Sequence, residues 1–119
     1  METSTPSLRH ERLDVYQASI RFLALTESVI DDLPRGSAAT IDQLRRAAMS
    51  IPLNIAEGYA KQSPQDGARF FDIARGSAHE CGAIVDVLKA RSMIKDETHR
   101  ALKILLHRVV SMLVKLVRR

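Results

Sequence analysis

The side chains in this chain that could do chemistry are four histidines, one cysteine, scattered serines and a larger set of carboxylates and arginines. Spacing decides what they can do together. A ferritin-like metal site in a helical bundle needs Glu-x-x-His on two helices and two further glutamates. None of His10, His79, His99 and His107 stands three residues after a Glu, so the spacing builds no such site. A nucleophilic serine needs a base within hydrogen-bond reach. His79 is close in sequence to Ser77, but residues two apart on a helix point to different faces. Cys81 sits in an apolar stripe, where a small inert core residue is expected; alone it forms neither an internal disulfide nor a thiolate metal cluster. The five glycines are scattered and make no phosphate-cradling loop. No enzyme, metal or cofactor is expected.

What remains is a polar pattern. Leu44, Ala48, Ile51, Ile55 and Tyr59 recur at helical spacing, and beside them runs a second stripe of Gln43, Arg46, Ser50, Asn54 and Glu57. Solvated helix faces usually carry Lys and Glu; Gln, Arg, Ser and Asn suit a mutually satisfied hydrogen-bond network instead. Ser77 and Glu80 lie in line with Phe70 and Ile84 further along the chain. A carboxylate on an apolar stripe is costly unless paired. The expectation is a largely buried structural network of Gln43, Arg46, Ser50, Asn54, Glu57, Ser77 and Glu80, with Arg46 paired to Glu57 or Glu80. Pro52 frees the carbonyl of Ala48, for which the Asn54 amide or the Ser50 hydroxyl is the expected donor. Arg45 points about 100° away from Arg46 and is open to a ligand.

These residues need helices to hold them. Residues 1–8 are expected to be a flexible N-terminal segment and 9–119 one domain. A first helix should begin near Arg9 to Arg12 and end near Asp32, with two adjacent apolar stripes: Leu13, Tyr16, Ile20 and Leu23, then Val15, Phe22, Leu25 and Val29. Pro34 and Gly36 mark a turn, after which Ser37 or Thr40 should cap the second helix. Both phases pass through Pro52 without a slip, which predicts a kinked but continuous helix rather than a break. Ser63-Pro64-Gln65-Asp66 is a helix start, with a capping serine, proline at the first position and an acid in the first turn. The third helix then runs to about Ala90. Its stripes are Phe70, Ile73, Ser77, Glu80, Ile84 and Val87, and beside them Phe71, Ala74, Ala78, Cys81, Val85 and Leu88. Asp96 and Glu97 open a fourth helix, with Leu102, Leu105, Val109, Met112 and Leu116 facing inward.

Four amphipathic helices with short connections predict an all-α, up-down-up-down antiparallel four-helix bundle. The composition agrees. With 119 residues, 45% hydrophobic and only 4% aromatic, the chain has one domain's worth of mostly aliphatic core. No apolar run nears the roughly 20 residues of a membrane span, and no signal peptide opens the chain, so a cytoplasmic location is expected, with no membrane partner. Lys and Arg number 18 against 14 Asp and Glu, a net charge of +4 that permits nucleic-acid binding. Arg45, Arg69, Arg75, Lys103, Arg108, Lys115, Arg118 and Arg119 are the candidate contacts. Surplus apolar residues on the first helix, and Ile104, Val110, Leu113, Val114 and Val117 on the fourth, predict a homo-oligomer.

The stretch Gln43 to Gly58, QLRRAAMSIPLNIAEG, resembles the signature Gln-Leu-Arg-Arg-Ala-x-x-Ser-Ile-x-x-Asn-Ile-Ala-Glu-Gly of the S23-type family, four-helix-bundle proteins encoded in intervening sequences of bacterial 23S ribosomal RNA genes. It matches without exception. Leu13-Asp14-Val15-Tyr16-Gln17-Ala18 is similar to the family's first helix, and Phe70 to Glu80 to its third. The likeness spans about Arg12 to Ile94. It weakens at Gly82-Ala83-Ile84-Val85, in the fourth helix, and at Arg91-Ser92-Met93-Ile94, which lacks the usual glycine. The resemblance implies a ring-like homopentamer. Related accessory proteins of diversity-generating retroelements bind a reverse transcriptase and nucleic acid through a basic surface. Nucleic acid, structured RNA above all, is therefore the implied ligand, with an adaptor for a nucleic-acid enzyme as the alternative. No biochemical activity is established for the ribosomal members.

Overall fold

A computed structural model describes residues 5–117. A short 3-10 turn, Arg9–Arg12, leads into four helices: α1 (Asp14–Asp31), α2 (Ala38–Ala60), α3 (Pro64–Ala90) and α4 (Asp96–Val117). No strand occurs among the described residues. Each helix packs antiparallel on its neighbour in sequence, and α4 closes the ring against α1. This is the up-down-up-down bundle. Of the expected flexible segment 1–8, residues 1–4 lie outside the described ones, and residues 5–8 precede the 3-10 turn.

Helix ends follow local chemistry. Ser63 Oγ accepts from the Asp66 amide at 3.1 Å, with Pro64 at the first helical position. Gly36, at φ +106°, makes the turn out of α1. Ser37 precedes α2 but does not cap it with its side chain, contrary to expectation; its hydroxyl donates to Met93 Sδ at 3.3 Å. Arg91 likewise reaches Thr40 Oγ1 at 3.3 Å, so the α1–α2 and α3–α4 turns are tied together at one end of the bundle. α2 runs unbroken through the buried Pro52.

The core is aliphatic, with Phe22 its one fully buried aromatic residue. On α3 the stripe with small residues faces inward: Ala74, Ala78, Cys81, Val85 and Leu88 are closed to solvent. The other predicted stripe faces largely outward, with Ile73 and Val87 exposed. Alanines let helix axes approach closely, so that stripe maximises contact and the bulkier one is left outside. On α4 the buried line is Leu102, Leu106, Val109 and Leu113; the predicted Leu105, Met112 and Leu116 pack only at its margin. Leu113, expected to be surplus, is core. The expected apolar excess on α1 and α4 shrinks to Ile20 and Ile104 among the strongly exposed residues. Inside α1, Ser19 is buried with its Oγ donating to the Tyr16 carbonyl at 2.6 Å, while the buried Thr26 hydroxyl has no partner.

Two backbone features set the helix hairpins. Where α2 and α3 meet, a Cβ on Gly67 would lie 2.6 Å from the Gly58 carbonyl oxygen, and one on Gly58 would lie 2.7 Å from Phe71 Cε1. Only glycine fits this crossing. After α3, Ser92 takes the left-handed conformation at φ 59°, its amide donating to Lys89 O and the Met93 amide to Leu88 O, each at 2.9 Å. This is a Schellman end with serine at the position glycine favours. Two substitutions should therefore move stability in opposite directions. Gly67→Ala should cost about 1–3 kcal/mol by overpacking against backbone, whereas Ser92→Gly should gain about 0.5–1 kcal/mol by relieving the left-handed serine. Thermal melts of the two variants beside the parent check both signs.

Candidate nucleic-acid interface

Several of the cations singled out in the sequence are already engaged. Arg45 grips Glu27 of α1 through Nε and Nη2 at 3.1–3.3 Å. Arg75 Nη2 donates to Asp72 Oδ1 at 2.8 Å on its own helix. Lys103 Nζ lies 3.1 Å from Asp86 Oδ1, and His99 Nε2 bonds the same oxygen at 2.8 Å. That pairing, His99 first and Lys103 second, holds the Asp86 carboxyl below the usual carboxylate range. Arg45 thus belongs to the α1–α2 seam and Lys103 to the α3–α4 seam. Arg69, Arg108 and Lys115 are exposed, and Arg118 and Arg119 lie outside the described residues.

Cations do converge at the end of the bundle where the α2–α3 turn, the 3-10 turn and the last turns of α4 come together. Arg9, Tyr59, Lys61 and Leu116 share one groove there, of about 270 Å³, over the Gly58–Gly67 crossing. The Arg9 guanidinium carbon lies 5.3 Å from the centre of the Tyr59 ring. Lys61 Nζ lies 4.9 Å over the Phe70 ring, and the Arg69 guanidinium 5.8 Å from it. Lys115 neighbours Leu116 on the last described turns. Carboxylates are present too: Glu57 sits 3.4 Å from Lys61, and Glu11 accepts from the Leu8 amide. Arg9 and Lys61 were absent from the sequence-based set. For Lys61 the spacing Tyr59-x-Lys61 was the available signal, but the contribution of Arg9 depends on topology.

The polar stripe is smaller than expected. Ser50 Oγ and Ser77 Oγ bond across α2 and α3 at 2.8 Å, and Asn54 Nδ2 donates to Ser50 O at 2.8 Å and Ser50 Oγ at 3.0 Å. These three side chains are half-buried. The Asn54 amide therefore serves the Ser50 carbonyl, not that of Ala48. The charged members are not in the network. Arg46 is 82% exposed and lies 3.8 Å from Asp42, Glu57 pairs with Lys61, and Glu80 is exposed with a single 3.3 Å bond from Gln43 Nε2. Neither Glu57 nor Glu80 needs Arg46, because solvent satisfies both. Cys81 is the expected inert core residue, its thiol pushed up to about 12 chiefly by burial.

Around that small polar centre, apolar side chains stand in solvent. Met49 and Leu53 on α2 and Ile73 on α3 are each more than half exposed, at 51%, 56% and 51%. Leu53 and Ile73 stand at helical spacing from Ser50 and Ser77, and Met49 from Leu53.

The described residues form an antiparallel four-helix bundle with a cationic, aromatic end and a polar–apolar α2–α3 face. The chain belongs to the 23S rRNA-intervening sequence protein family, whose model matches residues 11–115. Its fold is similar to the crystal structure of a protein of unknown function from the S23 ribosomal protein family of Bacteroides thetaiotaomicron, with a TM-score of 0.81 and 20% identity over 88% of this chain and 99% of that one. No curated protein matches it. The described helices include none long and apolar enough to cross a membrane.

The polar stripe yields a graded expectation. Ser77→Ala and Asn54→Ala should each cost about 0.5–1.5 kcal/mol, the loss of a half-buried neutral hydrogen bond. Glu80→Ala should cost less than about 0.5 kcal/mol. Melting temperatures of the three variants rank them; an Glu80→Ala loss larger than the others would contradict the exposed placement of Glu80.

Proposed function

We propose that this protein is a non-enzymatic, homo-oligomeric helical bundle that binds nucleic acid, structured RNA above all, through a basic surface. One observation carries the reading: Arg9, Lys61 and Arg69, from three separate parts of the chain, meet at one end of the bundle beside aromatic rings. Cations gathered from separate segments repel one another unless counter-charge is supplied, and a phosphate backbone supplies it along a line. The contact surface is thus shifted from the sequence-based set toward this end. Arg69 remains in it; Arg45 and Lys103 serve the seams, and Arg75 pairs with Asp72 within α3.

Binding of this kind is read by its salt dependence. In a polarisation assay with a labelled RNA hairpin, log affinity should fall linearly with log salt. Replacing Arg9, Lys61 and Arg69 together by Gln should weaken binding about equally across sequences and flatten that slope by about 2. Undetectable affinity of the parent at about 50 mM salt would overturn the reading.

The exposed Met49, Leu53 and Ile73 support the homo-oligomeric part, with α2–α3 as the self-association face. Pentamer is preferred on the family resemblance alone. The same face would serve the second reading, an adaptor docking onto a nucleic-acid enzyme such as a reverse transcriptase. Light scattering at micromolar concentration should give a multiple of the 13.3 kDa chain mass, reduced by Leu53→Glu. A monomer mass for the parent would refute self-association.

A further inference from the structure

We infer that the nucleic acid this end accepts is single-stranded, held by stacking of unpaired bases on Tyr59 and Phe70. The inference rests on the proposed nucleic-acid binding and adds the class of ligand and the residues that select it. The aromatic residues of this chain are few, yet two of them, both half-buried, lie on either side of the three-residue α2–α3 turn between Ala60 and Pro64. Each ring already has a cation over it: Arg9 at 5.3 Å from Tyr59, and Lys61 at 4.9 Å and Arg69 at 5.8 Å from Phe70. A ring whose face is covered by a flexible cationic side chain is a stacking platform with its phosphate ligand alongside. When a base takes the ring face, the displaced Lys or Arg is within reach of the flanking phosphate.

Shape argues the same way. The groove beside Tyr59, at about 270 Å³, has room for a flat base, and a duplex keeps its bases stacked on one another between two backbones. Three of the helix cations, Arg45, Arg75 and Lys103, are each matched by a carboxylate and so are less available to a duplex backbone. Glu57, beside Lys61, offsets part of the charge and makes the contribution of stacking the larger. Single-stranded RNA and single-stranded DNA present the same rings and phosphates, so both belong to the ligand class. Unpaired loops of a folded RNA belong to it as well.

The test measures polarisation of labelled single-stranded RNA, single-stranded DNA and the matching RNA duplex, each of about 12 nucleotides, in the range one stacking site engages. The full chain should bind both single strands more tightly than the duplex. Tyr59→Leu and Phe70→Leu should each weaken single-strand binding roughly 5- to 100-fold while leaving the salt slope unchanged, and Tyr59→Phe and Phe70→Tyr should restore it. Circular dichroism confirms that the leucine variants stay helical; if Tyr59→Leu unfolds, Phe70→Leu decides alone. Equal affinity for duplex and single strand, or leucine variants that bind like the parent while the Arg9, Lys61, Arg69 variant does not, would overturn the stacking inference and leave nucleic-acid binding standing. A parent chain that binds none of the three overturns both.

Discussion

The contact on which most of this structure depends is the one between Gly58 and Gly67, where the backbones of α2 and α3 come close enough to exclude a Cβ. It fixes how far apart the two helices start and therefore their register. Ser50 meets Ser77 two turns further along, and Gln43 meets Glu80 beyond that. The same crossing leaves a tight turn, whose short length brings Tyr59, Lys61, Arg69 and Phe70 to one end of the molecule. A wider crossing would separate the serines and disperse the cations. Packing at two glycines thus controls both the seam and the candidate interface.

Much of the fold was legible along the chain because local chemistry decides it. Ser63, Pro64 and Asp66 start α3 as expected, and Asp96 with Glu97 opens α4. The continuity of α2 through Pro52 followed from unbroken phase on both sides. The choice between two apolar stripes on α3 was not legible, since both have helical spacing. Burial went to the alanines and cysteine, and only the closeness of neighbouring helices distinguishes that stripe from the bulkier one. The same ambiguity misplaced the apolar surplus, expected on α1 and α4 but found mainly on α2 and α3.

The site was less legible than the fold. Ser50, Asn54 and Ser77 emerged from the polar stripe, because short polar side chains on a seam must bond to one another. Arg46, Glu57 and Glu80 did not, because long charged side chains reach water from positions where a short one would be trapped. Arg9 is far from Tyr59 in sequence, and nothing local joins them; the ring order of the helices brings them together. Convergence of that kind belongs to topology.

The burial of Cys81 has a practical consequence. Thiol-directed reagents attack the thiolate, and burial both pushes the Cys81 thiol up to about 12 and closes it to solvent. The native cysteine should therefore react far more slowly with maleimides than an exposed one does while the protein is folded. A second cysteine placed on an exposed position of α2 or α4 would be the preferred point of attachment for a dye or spin label, with no need to disturb the core to obtain it.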